Sequence, residues 1–226
     1  MANTLQTNLN AVMAETGFEI PLEYASSANP SDVQMLHLAN RAAQAILEYN
    51  LTGVRKFDTI TMTTATAYDL ADDFHAYIPD TLYVDGQVNL AHIPVTPEAW
   101  AFAQSTGATG AILGCRFIGG QLQVINPLNG EDLKYEYVSN EQIQATGGGS
   151  YKTKFTADND VWLLDDDLLQ LETKWRFEKA KGLPTWQATE QECRNYVRKL
   201  RGRDGAAKTL YPAFPVDRTP RINTWV

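Results

Sequence analysis

Three histidines, His37, His75 and His92, are the side chains of this chain best suited to acid–base chemistry near neutral pH. They are scattered over one helical and two loop-rich segments, and none lies in an HExxH or comparable catalytic spacing. The glycine run at 147–149 lacks the Lys-Ser or Lys-Thr pair of a phosphate-binding loop, and no GxSxG motif occurs. The sequence therefore predicts no catalytic residue, no cofactor and no metal site, and we expect that the chain is not an enzyme.

Acidic side chains cluster at two places where a cation site deserves consideration. Asp158 and Asp160 lack the remaining ligands of a calcium loop. Asp165, Asp166 and Asp167 directly precede an apolar helical pattern, where carboxylates stabilise a helix N-terminus through its dipole. Helix capping is therefore favoured over metal binding.

Length and composition indicate a globular protein with a substantial core. The chain has 226 residues and 44% hydrophobic residues, enough for one large domain or two small ones. Cys115 and Cys193 lie far apart and outside any CxxC pattern, which favours small buried apolar residues over a disulfide or zinc site. No apolar run approaches the ~18 residues of a membrane span, and no secretion signal begins the sequence, so we expect a cytosolic product.

The charge distribution is uneven along the chain. The net charge of −8 argues against a protein whose main role is to grip DNA by counterion release. Residues 174–208 contain ten basic and four acidic residues, so this segment carries +6 and the rest of the chain −14. A basic C-terminal helical part on an acidic body is either a solvated face or a surface that guides the docking of one subunit on the next.

Apolar periodicity predicts five helices. They are expected at about 4–15, 31–49, 97–105, 165–181, and from 185 to Gly202 or Gly205. Their apolar faces are expected to contain Leu5, Leu9, Val12 and Met13 in the first helix, Val33, Leu36, Ala39, Ala43, Ile46 and Leu47 in the second, Leu164, Leu168, Leu171 and Trp175 in the fourth, and Cys193, Tyr196, Val197 and Leu200 in the fifth.

A β-rich region is predicted between the second and fourth helices. Residues 57–63 alternate in polarity and are rich in β-branched side chains, as a half-buried strand should be. The pair Gly119-Gly120 is typical of a two-residue hairpin turn, which predicts antiparallel pairing. Further strands are expected at 81–85, 87–93, 111–118, 121–125, 133–138 and 151–155.

Two segments are predicted to be irregular. Gly147, Gly148 and Gly149 predict a flexible loop, because glycine has no steric preference for one backbone region. Beyond Lys208, three prolines between positions 212 and 220 prevent a regular helix. The last residues, 209–226, are therefore predicted to form an extended arm.

These elements predict an α+β fold: a helical bundle with an inserted small antiparallel β domain and an extended C-terminal arm. The outer helices need one another to bury their apolar faces, so the β region is read as an insertion. The expected parts are 1–55 and 158–208 for the two halves of the bundle, 56–157 for the β-rich domain and 209–226 for the arm.

Several short motifs occur in a specific order. The C-terminal half contains FTADND at 155–160, LLDDDLL at 163–169 and KWRFEKAKG at 174–182. Upstream lie QVINP at 123–127 and YEYVS at 135–139. Together these motifs resemble the head-to-tail adaptor proteins of short-tailed bacteriophages, and the resemblance covers about 32–205.

The resemblance implies a structural role in the neck of the virion. Such an adaptor forms a homo-oligomeric ring, typically of twelve copies, that is assembled in the host cytoplasm. The ring binds the portal protein on one side and a tail or nozzle protein on the other, without any membrane. DNA passes through its channel without specific recognition, so the acidic body is either a wall that repels phosphate or simply a soluble surface.

The resemblance also implies that the C-terminal arm contacts the portal or a neighbouring subunit. The alternatives are that its aromatic residues pack back onto the chain's own bundle and that its arginines are solvated. A tryptophan next to the end of a polar tail is the residue that most needs a partner surface. The predicted contact residues are Tyr211, Phe214, Arg218, Arg221, Ile222 and Trp225.

Two other classes of function stay open at this level. A tail completion or stopper subunit of the phage neck would share the β domain but need not dock through an arm. A binding module or an enzyme outside phages would show a ligand or a catalytic signal rather than a ring. Ring formation with a portal separates the adaptor from both.

Overall fold

Most helices lie in the first and last parts of the chain, and most strands lie between them, where one helix interrupts their order. The computed structural model describes residues 3–49, 51–85, 96–105, 114–148 and 150–209, with the backbone alone at 52, 103 and 204–209. Within these ranges the fold is a mixed α+β arrangement of five helices and several antiparallel sheets, which confirms the predicted class. None of the described helices is long and apolar enough to cross a membrane.

The described elements have the following bounds. The helices are α1 Leu5–Thr16, α2 Pro30–Leu47, α3 Pro97–Ser105, α4 Asp166–Ala180 and α5 Trp186–Thr209, with a 3-10 turn at Thr52–Val54. The strands are β1 Arg55–Thr61, β2 Ala67–Asp69, β3 Phe74–Tyr77, β4 Tyr83–Val84, β5 Gly114–Ile118, β6 Gln121–Ile125, β7 Asp132–Ser139, β8 Ile143–Gln144, β9 Tyr151–Lys152 and β10 Val161–Trp162.

Side-chain caps fix where three of the helices begin. The Thr4 hydroxyl accepts a hydrogen bond from the Thr7 amide at 3.3 Å, and the Asn29 side chain accepts one from the Ser31 amide at 2.9 Å. The Asp165 carboxylate accepts the Leu168 amide of α4 at 3.0 Å, which confirms its predicted capping role. Each cap satisfies an amide that the helix itself leaves without a partner.

One hydrophobic core lies among the helices, where α1, α2 and α5 each pack against α4. All four predicted residues of α1 are buried, as are Cys193, Val197 and Leu200 of α5. The face predicted for α2 is partly wrong, since Val33 is half exposed and Met35, Leu38 and Ala42 are buried instead.

The face predicted for α4 is also partly wrong. Leu171 and Trp175 are only partly buried, whereas Leu169, Glu172, Thr173 and Phe177 are buried beside Leu168. The physical reason is that α4 has three helical neighbours, so its buried surface is too wide for a single apolar stripe and includes polar residues.

Strand β7 is the centre of the largest sheet. It pairs antiparallel with β1 on one side, from Arg55 opposite Val138 to Thr61 opposite Asp132, and with β3 and β4 on the other. A second sheet has the order β2-β6-β5, and a third has β10-β8-β9. The turn between β5 and β6 has positive φ at Gly119 and Gly120, which confirms the predicted hairpin.

A second core belongs to the β region and is largely aromatic. Tyr135 and Tyr137 of β7 lie beside Phe74, Tyr77 and Phe117, and the ring centroids of Tyr77 and Phe117 are 4.6 Å apart. A small third cluster links this region to the helices and consists of Leu47, Val54, Ile78 and Val138.

The predicted end of α5 is wrong, four short strands were not predicted, and two predicted strands lie wholly or partly outside the described residues. Helix α5 does not end at Gly202 or Gly205 but continues to Thr209, because a single glycine weakens a helix by only about 1 kcal/mol and good helix formers follow it. The short strands β2, β3, β8 and β10 were not predicted. The predicted strand 87–93 and the first residues of 111–118 lie outside the described residues.

Candidate interaction surfaces

The structure describes part of the predicted glycine loop but none of the predicted contact residues of the arm. Tyr211, Phe214, Arg218, Arg221, Ile222 and Trp225 all lie outside the described residues, and so does Gly149. Gly147 and Gly148 lie in the turn between β8 and β9 with φ of 88° and 82°. This backbone region favours glycine, and the turn is closed by a hydrogen bond of 2.8 Å from the Ala145 amide to the Ser150 carbonyl.

A polar cleft of about 570 Å³ opens beside β9. At one end, the Lys56 ammonium bridges Asp73 at 2.5 Å and Glu141 at 3.0 Å, and it lies 5.5 Å from the centre of the Tyr151 ring. The cleft is lined by Asp72, Asp73, Asn140, Glu141, Tyr151, Lys152, Thr153, Lys154 and Thr156. Cations and carboxylates alternate in it, so it offers polar contacts without a dominant charge.

The Asp73 carboxylate is the hydrogen-bonding centre of that cleft. It accepts the hydroxyls of Tyr137 at 2.7 Å and Ser139 at 2.6 Å, in addition to the Lys56 ammonium. Burial raises the pKa of Asp73, but the bonds from Lys56, Ser139 and Tyr137 outweigh it, so the pKa lies below its ordinary 3.8. These bonds fix the start of β3 against the end of β7.

A second groove, of about 400 Å³, runs between α4 and α5 and reaches the end of α2. We call it the arginine groove, and it is lined by Tyr49, Glu172, Trp175, Arg176, Glu190, Cys193, Arg194, Val197, Arg198 and Arg201. Its arginines all belong to residues 174–208, the segment with a net charge of +6. Side chains one turn apart on α5 share this face, which is why Arg194, Arg198 and Arg201 line up.

Glu172 lies at the bottom of the arginine groove and is buried with only 2% exposure. Its carboxylate accepts the Tyr49 hydroxyl at 2.6 Å and the Trp175 indole N–H, and it pairs with Arg176 at 2.8 Å. Burial raises the pKa of Glu172, yet the bonds from Arg176, Tyr49 and Trp175 outweigh it and hold the pKa below 4.5. The same carboxylate, together with burial, raises the pKa of the Tyr49 hydroxyl.

The buried groups of the groove are arranged for structure rather than for proton transfer. Glu172 is ionised and its oxygens are already hydrogen-bonded, which makes it a poor general base. Burial and the neighbouring Glu172 raise the pKa of the Cys193 thiol, which makes it a poor nucleophile. Across the described ranges, no three His, Cys, Asp or Glu side chains come together as a cation site.

The rim of the groove carries excess positive charge. Arg194 pairs with Glu190 at 2.7 Å. Arg198 donates to the Asn195 amide oxygen at 3.1 Å, and Arg201 donates to the Tyr49 carbonyl at 3.3 Å. Among the described side chains, neither Arg198 nor Arg201 forms an ion pair, so both guanidinium groups can bind a carboxylate from outside.

Sequence reasoning found the basic segment but missed the groove that it forms. The available signal was Glu172, a charged residue at a core position of α4 between Leu168 and Phe177. A buried carboxylate needs cations and hydrogen-bond donors around it, so its position indicates a cluster of such groups.

Comparison with known proteins adds no relative. No protein-family model matches the chain, and no curated protein matches it either. The function is therefore argued from the motifs of the sequence and from the surfaces of the structure.

Proposed function

We propose that this chain is a structural head-to-tail adaptor of a tailed bacteriophage, a subunit of a ring between the portal and the tail. The ring surrounds a channel through which DNA passes. In this proposal the fold is a helical bundle (1–55 and 158–208) with an inserted small β domain (56–157) and an extended C-terminal arm (209–226). The helical and β cores, with a small linking cluster, support a division into two parts, although Ile143 and Phe155 of the β segment pack in the helical core.

The observation that carries the proposal is the structural position of the motifs that resemble the adaptor family. In FTADND, Asp158 accepts the Tyr24 amide at 3.0 Å, and Asp160 accepts the Thr156 amide at 2.8 Å and pairs with Lys152. In LLDDDLL, Asp165 caps α4, and Asp166 accepts the Asn8 side-chain amide at 2.9 Å.

Two of these carboxylates, Asp158 and Asp166, join segments that are distant in the sequence, whereas Asp160 and Asp165 hold their own loop and helix start. Asp166 connects α1 to the start of α4, and Asp158 connects the loop after α1 to the segment that precedes α4. Motif residues with this kind of position preserve the shape of a subunit, which is what an assembly protein requires. This position of the motif residues supports a structural role for the motifs themselves.

The arm is proposed to provide the contact with the portal. Its contact residues are Tyr211, Phe214, Arg218, Arg221, Ile222 and Trp225. Proline restricts the chain before binding, so an arm of this composition loses less conformational entropy when a partner orders it. Trp225 is expected to contribute most, because tryptophan is enriched among the residues that dominate interface energies.

The test is binding to the portal ring of the same phage. Full-length chain, chain truncated after Thr209 and the variant Trp225→Ala are mixed with purified portal, and bound protein is measured by sedimentation. We expect loss of binding on truncation and at least about tenfold weaker binding for Trp225→Ala. The matched control is Phe57→Ala, which removes an aromatic side chain that is 53% exposed on β1 and should leave portal binding unchanged.

Two results would contradict the proposal in different ways. Full-length chain that does not bind the portal ring contradicts the adaptor role and favours another neck subunit or a function outside phages. Binding that survives truncation contradicts the role of the arm and moves the portal contact to the helical region.

A further inference from the structure

The loop after α1 exposes apolar side chains on an ordered backbone. Leu22 is 86% exposed and Ile20 is 48% exposed, and they lie between the exposed residues Glu19 and Glu23. We call residues 18–23 the acidic–apolar loop. A leucine so fully exposed on an ordered segment is a candidate for a contact with another molecule.

The acidic–apolar loop is held at both ends. At its start, the Phe18 ring meets the buried Phe177 ring edge-on with centroids 5.1 Å apart. Near its end, the Leu22 carbonyl accepts the Gln6 side-chain amide at 2.7 Å, and the next residue but one, Tyr24, is fully buried. A loop fixed in this way loses little conformational entropy on binding.

The charged residues of the N-terminal segment itself are all acidic, although Lys181 at the end of α4 lies 6.0 Å from the centre of the Phe18 ring. The first 40 residues contain no lysine or arginine and four acidic residues, which are Glu15, Glu19, Glu23 and Asp32. Asp32 is buried, and Glu15 is paired with Lys174 at 2.8 Å. Glu19 and Glu23 are the exposed acidic groups that flank Leu22, so a partner must offer cations around an apolar centre.

The arginine groove has this complementary pattern. Its floor contains Cys193 and Val197 with Trp175 beside them, together with Glu172, which is already paired with Arg176, and its rim contains Arg194, Arg198 and Arg201. A volume of about 400 Å³ is large enough for one leucine side chain and part of its neighbours. Arginines at a rim around an apolar centre are common in protein interfaces.

We propose that the acidic–apolar loop of one copy docks in the arginine groove of the next copy. In this contact Leu22 packs on Val197 and Trp175, and Glu19 and Glu23 pair with Arg198 and Arg201. The inference rests on the proposed function, because it assigns the lateral contact of the ring.

The two surfaces consist of different residues, so the contact is heterologous. Every copy offers one loop and one groove, and repetition of such a contact closes a ring when the rotation between copies fits. The contact also explains the uneven charge of the chain, because the acidic N-terminal region of one copy meets the basic C-terminal helix of another.

The first experiment measures self-association of the full chain by sedimentation velocity. The variants are Leu22→Asp, which places a charge on the apolar centre, and the double variant Arg198→Glu/Arg201→Glu. Each should weaken association by at least about tenfold, and salt should weaken association of the wild type. The control is Lys199→Glu, which reverses one positive charge on the same helix, half the charge change of the double variant, at an exposed position that does not line the groove.

The second experiment mixes the two defective proteins. Leu22→Asp retains an intact groove, and Arg198→Glu/Arg201→Glu retains an intact loop, so together they should form a one-to-one dimer that neither forms alone. Far-ultraviolet circular dichroism of each variant shows whether it is folded like the wild type. A contact that used the same surface on both copies would give no such rescue.

Three outcomes would overturn the inference. These are a wild type that stays monomeric up to about 1 mM, a Lys199→Glu effect equal to that of the groove variant, and folded variants that do not rescue each other. The proposed function is tested separately. If the chain binds the portal and these substitutions do not change its self-association, only the loop–groove contact is contradicted. If the chain self-associates through the loop and the groove but does not bind the portal, only the adaptor role is contradicted.

Discussion

The helical core and the β core hold their polar groups in different ways. Among the helices, the carboxylates Glu172, Glu178 and Asp160 are buried at 4% exposure or less and each meets a hydrogen-bond donor inside the core. In the β region the core is a group of aromatic rings, and its main carboxylate, Asp73, lies at the edge with 13% exposure. The helices are therefore linked by hydrogen bonds to buried carboxylates, and the strands by ring packing.

This difference bears on the proposed assembly role. A buried carboxylate strongly disfavours any helix arrangement that breaks its contacts, because an unpaired buried charge is costly. Aromatic packing with polar groups at the edge tolerates changes in the connecting loops more readily. The helical region is thus suited to fix subunit contacts, and the β region is suited to present loops.

The largest expected effect comes from the helical core. Trp162 is fully buried, packs near Phe155 and donates its indole N–H to the Asp165 carbonyl at 3.1 Å. Trp162→Ala should lower the free energy of unfolding by about 3–5 kcal/mol, measured by urea denaturation. The matched control, Phe57→Ala on the half-exposed face of β1, should cost less than about 1 kcal/mol. Equal effects would contradict the central place of the helical core.

The next effect tests the buried ionic contacts. Glu172→Gln keeps the shape but removes the charge that Arg176 and Tyr49 require, so it should cost about 2–3 kcal/mol. If urea denaturation shows that Glu172→Gln is more stable than the wild type, the buried carboxylate does not stabilise the fold and serves only to favour this helix arrangement over others.

The acid dependence of stability gives a second measurement on Glu172. Because the pKa of Glu172 is held below its ordinary 4.5 in the folded state, its contribution is present above that pH and is lost as the pH falls through the folded-state pKa. The wild type should therefore lose more stability between about pH 5 and pH 3 than Glu172→Gln does. Parallel curves for the two proteins would contradict the lowered pKa.

A smaller effect is expected in the β region. Asp73→Asn removes the charge that Lys56 pairs with and weakens the bonds from Tyr137 and Ser139, so it should cost about 1–2 kcal/mol. The neighbouring exposed residue provides the control, and Asp72→Asn should change stability by less than about 0.5 kcal/mol. A loss for Asp73→Asn as large as that for Glu172→Gln would remove the contrast between the two regions.

The smallest effect has opposite signs at two glycines. Gly202 is helical and exposed with open space around it, so Gly202→Ala should stabilise the protein by about 0.4–1 kcal/mol. Gly147 has a φ of 88°, so Gly147→Ala should destabilise the protein by about 1 kcal/mol. Thermal unfolding of both variants checks the signs, and destabilisation by Gly202→Ala would contradict the continuation of α5.

The sequence predicts those elements whose burial follows one simple period. The apolar residues of α1 recur at helical spacing and face a single neighbour, so all four are placed correctly. The buried face of α4 was only partly predicted, because Glu172 and Thr173 are buried by tertiary contacts that polarity alone does not reveal. Strands of two to four residues, such as β3 and β8, are too short to establish a period.

The candidate surfaces were less predictable than the fold. The basic segment is visible in the sequence, but its groove depends on how α4 and α5 pack together. The exposure of Leu22 has no local signal, because a position in a loop does not show by itself whether the rest of the chain covers the side chain. Both features arise only when distant segments come together.

The most direct test of the proposed adaptor role is cryo-electron microscopy of this chain in purified phage particles that contain it, or mixed with a portal ring. The account predicts a closed ring of copies between portal and tail, with the helical regions in lateral contact and the arm on the portal. A neck that is fully built from other chains, with no density for this fold, would contradict it.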